Sequence, residues 1–235
     1  INGDGIDDFA VAALGVDGTI KSDIGSVYVI FGNSNIGASG AGDLSALDGT
    51  TGFVIKGSTT EQSIGVSISG LGDVNGDGFD DFIFGNRNAN ISESYVIFGN
   101  SSFSASASID TLDGNSGFKI TTIASDYSDY SLNGAGDVNG DGLNDIIVGI
   151  PGNEDFTGGA HIVFGETSLG SSGTFDLSSI NGSNGVSFLG INPGDITGEN
   201  ISSAGDIDGD GLDDFLLGAA ELTQNRDSGQ GFVLF

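Results

Sequence analysis

A nine-residue stretch of Asp, Asn and Gly recurs along this chain, each time running straight into a short apolar segment. Three copies are complete: Asp73–Asp81 (Asp-Val-Asn-Gly-Asp-Gly-Phe-Asp-Asp), Asp137–Asp145 (Asp-Val-Asn-Gly-Asp-Gly-Leu-Asn-Asp) and Asp206–Asp214 (Asp-Ile-Asp-Gly-Asp-Gly-Leu-Asp-Asp). A fourth, at Ile1–Asp8, carries positions 2 to 9 of the same pattern. A second motif follows each copy: Val27–Gly32, Tyr95–Gly99, His161–Gly165 and Gly231–Phe235. Its phenylalanines, Phe31, Phe98, Phe164 and Phe235, are spaced by 67, 66 and 71 positions. Such a period means that the fold is assembled from four copies of one supersecondary unit. The units lie at roughly 1–57, 58–121, 122–190 and 191–235 of a single domain.

The unit is built of strands. Runs such as Asp-Phe-Ile-Phe and Tyr-Val-Ile-Phe are short, aromatic and β-branched, and they are bounded by Gly, Asn and Asp. The 43 glycines have no place in helix interiors, where each costs about 1 kcal/mol relative to alanine. No window holds a helical period. In the second unit the strands are expected near Ser63–Leu71, Asp80–Gly85, Glu93–Gly99 and Gly117–Thr121, with Asn33–Asp43 and Asn100–Ser108 as connecting loops. Four-stranded antiparallel units at this period predict an all-β fold, a β-propeller whose blades pack face to face. The first unit lacks its first strand and the fourth its last, so a complete ring calls for further blades or for neighbouring protein subunits.

The loops point to a cation. Positions 1, 3, 5 and 9 are Asp or Asn, and alternate residues of a tight loop can turn their oxygens onto one point. Calcium takes about 6–8 oxygen ligands. The expected ligands in the second unit are Asp73, Asn75, Asp77, the Phe79 carbonyl and Asp81. In the third they are Asp137, Asn139, Asp141, the Leu143 carbonyl and Asp145, and in the fourth Asp206, Asp208, Asp210, the Leu212 carbonyl and Asp214. The first retains Asn2, Asp4, the Ile6 carbonyl and Asp8. Three complete Ca²⁺ loops and a truncated fourth are thus expected, each with its position-7 side chain turned into the core. An EF-hand needs a bidentate Glu at position 12. Those positions hold Phe84, Val148 and Leu217, so the EF-hand is excluded. Ordinary Asx-Gly turns do not need repeated carboxylates, which repel one another without a cation.

The Gly-Asp-Val-Asn-Gly-Asp-Gly loops, the Phe-Gly pairs at Phe31, Phe98 and Phe164, and the segments Gly149-Ile150-Pro151 and Gly218-Ala219-Ala220 resemble the FG-GAP repeat family. These are the blades of integrin α-subunit propellers and of many bacterial surface proteins. The second unit departs from the last element, with Gly85-Asn86-Arg87. The resemblance implies a propeller of typically seven blades, with calcium between the first two strands of a blade, and a role in adhesion and ligand recognition.

Charge narrows the partners. With 33 Asp+Glu against 5 Lys+Arg the formal net charge is -28, which repels nucleic acid. No stretch approaches the roughly 20 apolar residues of a membrane helix, and with no cysteine there are no disulfides. An acidic, glycine-rich, cysteine-free chain fits a secreted or cell-surface location. No catalytic constellation is expected: His161 is the only histidine, and neither a Gly-x-Ser-x-Gly elbow nor a phosphate-cradling loop occurs. The favoured function is a calcium-binding extracellular structural or adhesion module, not an enzyme. Its alternatives are a propeller recognising a glycan or protein ligand, for which Tyr127 and Tyr130 are candidate contacts, and an accessory domain of a secreted hydrolase.

Overall fold

The computed structural model describes residues 1–15, 24–36, 40–58, 63–86, 93–121, 131–152, 156–220 and 229–235. Tyr127, Tyr130 and Arg87 lie outside them. Among these residues sixteen strands form four sheets in chain order, with three short 3-10 turns at Leu44–Ala46, Ile109–Thr111 and Leu177–Ser179. The first sheet holds β1 (Phe9–Ala13), β2 (Ser26–Ile30) and β3 (Gly52–Lys56). The second holds β4 (Ile68–Gly72), β5 (Asp81–Gly85), β6 (Ser94–Ile97) and β8 (Gly117–Thr121). The third holds β9 (Ser131–Gly136), β10 (Asp145–Gly149), β11 (Gly159–Val163) and β13 (Gly185–Leu189). The fourth holds β14 (Thr197–Gly205), β15 (Asp214–Ala219) and β16 (Gln230–Leu234). Consecutive strands within each unit pair antiparallel, for example Ile83 with Val96 and Val96 with Phe118. The four-stranded unit and its order agree with the repeat seen in the sequence.

Two further strands differ from expectation. β7 (Ser106–Ser108) and β12 (Thr174–Asp176) lie in the connections before β8 and β13 and reach back to pair parallel with β3 and β8 of the preceding sheet. Ser-Ala-Ser has no apolar signal and reads as loop. What makes it a strand is the open edge of β3, whose unpaired backbone groups recruit it.

Alternation along each middle strand decides which side chains meet which neighbour. In β5, Phe82 and Phe84 join the cluster shared with the first sheet, and Ile83 joins the cluster shared with the third. In β10, Ile146 and Val148 face the second sheet and Ile147 the fourth. Both faces of these strands are covered, which is why they read as continuous apolar runs. Three apolar layers result, one at each junction between successive sheets.

The outer strand starts with a constrained glycine. Gly117 has φ +138°, and a Cβ there would collide with the Val96 carbonyl oxygen across the sheet. Phe118, next along, is fully buried and rests against Phe98 at 5.7 Å between ring centroids. The equivalent residue of the third sheet, Val186, is 38% exposed. Phe118→Ala is therefore expected to cost about 3–5 kcal/mol, and Val186→Ala no more than about 0.5 kcal/mol. Urea unfolding of the two variants checks this; similar losses would mean that the two outer strands are equally packed.

Candidate metal centres

Each loop joins the first two strands of its sheet, β4 to β5, β9 to β10 and β14 to β15. The first residue organises the turn by accepting backbone amides. Asp73 Oδ1 accepts from Gly76 N at 2.7 Å and Asp77 N at 3.2 Å, and Oδ2 accepts from Gly78 N at 2.8 Å. Asp137 repeats this with Gly140, Asp141 and Gly142, and Asp206 with Gly209, Asp210 and Gly211. The next two acidic positions each accept from the amide two residues on: Asn75 from Asp77, Asp77 from Phe79, Asn139 from Asp141, Asp141 from Leu143, Asp208 from Asp210 and Asp210 from Leu212. In the first loop Asn2 and Asp4 do the same for Asp4 and Ile6. These are successive Asx-turns, and they hold the side chains of positions 1, 3 and 5 on the inside of the loop.

In the fourth loop one carboxylate oxygen from each of Asp206, Asp208 and Asp210 lies within 4.8 Å of the others. Such a set suits a hard cation. In the other three loops position 3 is Asn, and its amide group donates to the position-5 carboxylate: Asn2 to Asp4 at 3.2 Å, Asn75 to Asp77 at 3.0 Å and Asn139 to Asp141 at 2.9 Å. That donor takes up part of the negative charge. Asp208 cannot donate, so the fourth loop gathers three carboxylates with no side-chain donor between positions 3 and 5.

Position 9 is set apart from the other three. Asp81 is the first residue of β5 and is buried. Its Oδ2 accepts from Val74 N at 3.0 Å, and its Oδ1 from Gly99 N at 2.8 Å, the glycine of the Phe-Gly motif. Asp145 makes the same pair of contacts with Val138 and Gly165, and Asp8 with Ile1 and Gly32. This residue was expected only as a ligand. It is also a clamp that ties the loop to the third strand, and each of its oxygens keeps a further lone pair for a cation. Asp214 accepts from Ile207 N at 2.8 Å, but its buried Oδ1 has no partner.

Burial pushes the Asp81 carboxyl up to about 7 and Asp145 up to about 6. Their amide donors pull the other way, and the neighbouring loop aspartates add a smaller push upward. The position-7 residue also departs from expectation. Phe79 is half-buried, and its ring comes within 2.6 Å of where a Cβ on Gly3 would stand. Leu143 lies against Gly76, and Leu212 against Gly140, in the same way. The side chain therefore crosses to the preceding loop and does not enter the core of its own sheet. At position 12, Phe84, Val148 and Leu217 are buried strand residues, as the exclusion of the EF-hand requires.

A family model described as FG-GAP repeat matches residues 130–163 and 197–234. These segments run from β9 through β11 and from β14 through β16, each with its acidic loop. Two of the four units are FG-GAP repeats. The units at 1–57 and 58–121 share with the matched unit at 122–190 the position-9 Asp contact to the Phe-Gly glycine. A search of curated proteins finds no match to the chain. His161 lies in β11 with Nδ1 2.8 Å from Ser187 Oγ, and burial lowers its pKa.

Two outcomes follow. Asp145→Ala strands two amide donors, at about 1–3 kcal/mol each, and is expected to destabilise by about 2–5 kcal/mol. Asp214→Ala strands one and is expected to cost about half as much; equal losses in denaturant unfolding would refute the clamp. The second concerns pH. The folded-state values of Asp81 and Asp145 lie above the roughly 3.9 of an unfolded chain, so the folded state holds more protons between about pH 4 and pH 7. Stability then falls as pH rises through that window. Protein stripped of metal by a chelator should unfold at a higher urea concentration at about pH 5 than at about pH 8, and the reverse order would contradict the burial of these carboxyls.

Proposed function

We propose that this chain is a calcium-stapled β-propeller module of a secreted or cell-surface protein, serving adhesion or recognition and carrying no catalysis of its own. The observation that carries the proposal is the convergence of Asp206, Asp208 and Asp210 on one point. Gathering three carboxylates costs free energy in the apo state, and a divalent ion bound there returns it. Binding to the folded state alone stabilises it by mass action. Asp73, Asn75, Asp77 and Asp81 would supply the second loop's ion, and Asp137, Asn139, Asp141 and Asp145 the third's, with the carbonyls of Phe79 and Leu143 as the remaining protein ligands. The first loop offers Asn2, Asp4, Asp8 and the Ile6 carbonyl, and the fourth adds Asp214 and the Leu212 carbonyl to its three clustered aspartates.

The role is structural because Asp8, Asp81 and Asp145 tie their loops to the third strand of their sheets. An ion that fixes the loop also fixes the first three strands. Extracellular calcium, at about millimolar levels, matches the roughly 10⁻⁴–10⁻³ M affinities of extracellular calcium modules. The FG-GAP repeats favour the same location. No helix among the described residues is long and apolar enough to cross a membrane. Further blades or neighbouring subunits complete the ring, and the ligand is a protein or glycan, since the charge of -28 disfavours nucleic acid.

Metal counting by mass spectrometry, with thermal unfolding of the same sample, tests this. About three or four calcium ions per chain are expected, with a midpoint that rises on adding calcium. Isothermal titration should resolve one site tighter than the rest, at the four-aspartate loop, and Asp208→Asn should bring that site into line with the others. No bound metal and no shift would sink the proposal.

A further inference from the structure

Neighbouring acidic loops are joined by backbone hydrogen bonds that begin and end on candidate metal ligands. Asn144 N donates to the Asp73 carbonyl at 3.0 Å. The peptide group that carries Asn144 N also carries the Leu143 carbonyl, position 7 of the third loop. The peptide group that carries the Asp73 carbonyl also carries Val74 N, which donates to Asp81 Oδ2, position 9 of the second loop, at 3.0 Å. Two peptide groups and two hydrogen bonds thus connect a ligand of one loop to a ligand of the loop before it. The next junction repeats the path. Asp213 N, in the peptide group of the Leu212 carbonyl, donates to the Asp137 carbonyl at 2.9 Å, and Val138 N donates to Asp145 Oδ2 at 2.9 Å.

A peptide group is planar, and in its trans form the N–H and C=O point in opposite directions. With Asn144 N turned to Asp73, the Leu143 carbonyl is turned away from the second loop. Orienting that carbonyl on a cation therefore orients the amide behind it, and the reverse holds as well. Hydrogen bonds in series also polarise one another, so strengthening one strengthens the next. Further contacts brace each junction. Leu143 and Leu212 lie against Gly76 and Gly140 of the preceding loops. Glu166 N, beside the Gly165 that Asp145 holds, donates to the Val74 carbonyl at 3.1 Å. Asp137 N donates to Asp213 Oδ2 at 2.9 Å, so position 1 of the third loop is tied to the fourth through both its amide and its carbonyl.

We propose that the second, third and fourth loops bind calcium cooperatively, an ion in one loop raising the affinity of the loop beside it. This rests on the calcium reading above. The peptide groups of a junction are shared by two sites, so the first ion orders groups that the second would otherwise have to order. Coupling in binding is reciprocal, and each loop acts on its neighbour by the same factor. Repulsion between bound cations opposes the effect, and at about 0.15 M salt, where the Debye length is about 8 Å, exposed loops feel little of it. The third loop has a junction on either side, so its occupancy governs both the second and the fourth. The sheets are then stapled as a group over a narrow range of calcium concentration.

Nuclear magnetic resonance reads the loops one at a time. The amides of Gly78, Gly142 and Gly211 each donate to the position-1 Asp of their own loop and report its occupancy as calcium is added. Asp141→Asn takes one carboxylate from the third loop and keeps an acceptor for Leu143 N. At about 0.15 M salt it is expected to raise the calcium midpoints at Gly78 and Gly211 by at least about fivefold. Asp213→Ala leaves every candidate ligand oxygen in place and removes the acceptor of Asp137 N. In that background Asp141→Asn should move Gly211 less and Gly78 as before, and Asp213→Asn, which restores an acceptor, should restore the response at Gly211. Circular dichroism at saturating calcium confirms that each variant folds. Midpoints at Gly78 and Gly211 that stay or fall when Asp141 is replaced would overturn the coupling and leave the calcium reading standing. An undiminished response at Gly211 in the Asp213→Ala background would overturn the route through the junction. No change at any of the three glycines at millimolar calcium would overturn the calcium reading and the coupling together.

Discussion

A buried aspartate at the start of the second strand holds together each of the second and third units. Asp81 and Asp145 each bridge two backbone amides, one in the acidic loop and one at the end of the third strand. A carboxylate is the only side chain of this length that offers two coplanar acceptor oxygens. It has no competing donor, so it can satisfy two amides that the turn would otherwise leave unpaired. Burying a charge is costly, and here the cost shows as carboxyl pKa values raised to about 7 and about 6. The loop, the first hairpin and the third strand all take their relative positions from this one group.

From that clamp the rest of the geometry follows in order. Fixing position 9 at the strand start sends the next residue to one face of the sheet and the one after it to the other, because side chains alternate along a strand. Phe82 and Ile83 therefore enter different apolar layers although they are adjacent. The position-7 residue, two places before the clamp, is directed out across the neighbouring loop, where only glycine leaves room for it. Gly76 and Gly140 have φ of +75° and +76° and serve both the turn and that contact. One loop thus combines a candidate cation site, a sheet-ordering clamp and a sheet-to-sheet contact, and each sequence constraint in it answers to at least one of these.

The unequal charge of the loops has a physical consequence. Asn at position 3 places an amide donor against the position-5 carboxylate, which partly does in the metal-free loop what a cation does in the bound one. Asp208 removes that donor and adds a charge. The fourth loop thereby gathers the most uncompensated negative charge, while the second and third offset part of theirs through the Asn donor.

Much of this was legible in the sequence. The repeat, the strand order, the position of each acidic loop between first and second strands, and the exclusion of an EF-hand by Phe84, Val148 and Leu217 all depend on local pattern, which a chain displays directly. The double duty of Asp81 was not legible, because its second partner, Gly99, lies 18 positions away and is brought near only when β5 and β6 pair. The direction of Phe79 was missed for the same reason: an aromatic residue inside a polar loop reads as core, and the glycine that receives it belongs to another unit. β7 was invisible because Ser106–Ser108 carries no strand signal of its own and forms a strand only against the edge of β3. The sequence by itself determined the unit and its chemistry, since these rest on residues a few places apart. Only the tertiary structure decided how one unit meets the next, because those contacts join residues about one repeat apart and depend on backbone groups that are the same in every residue.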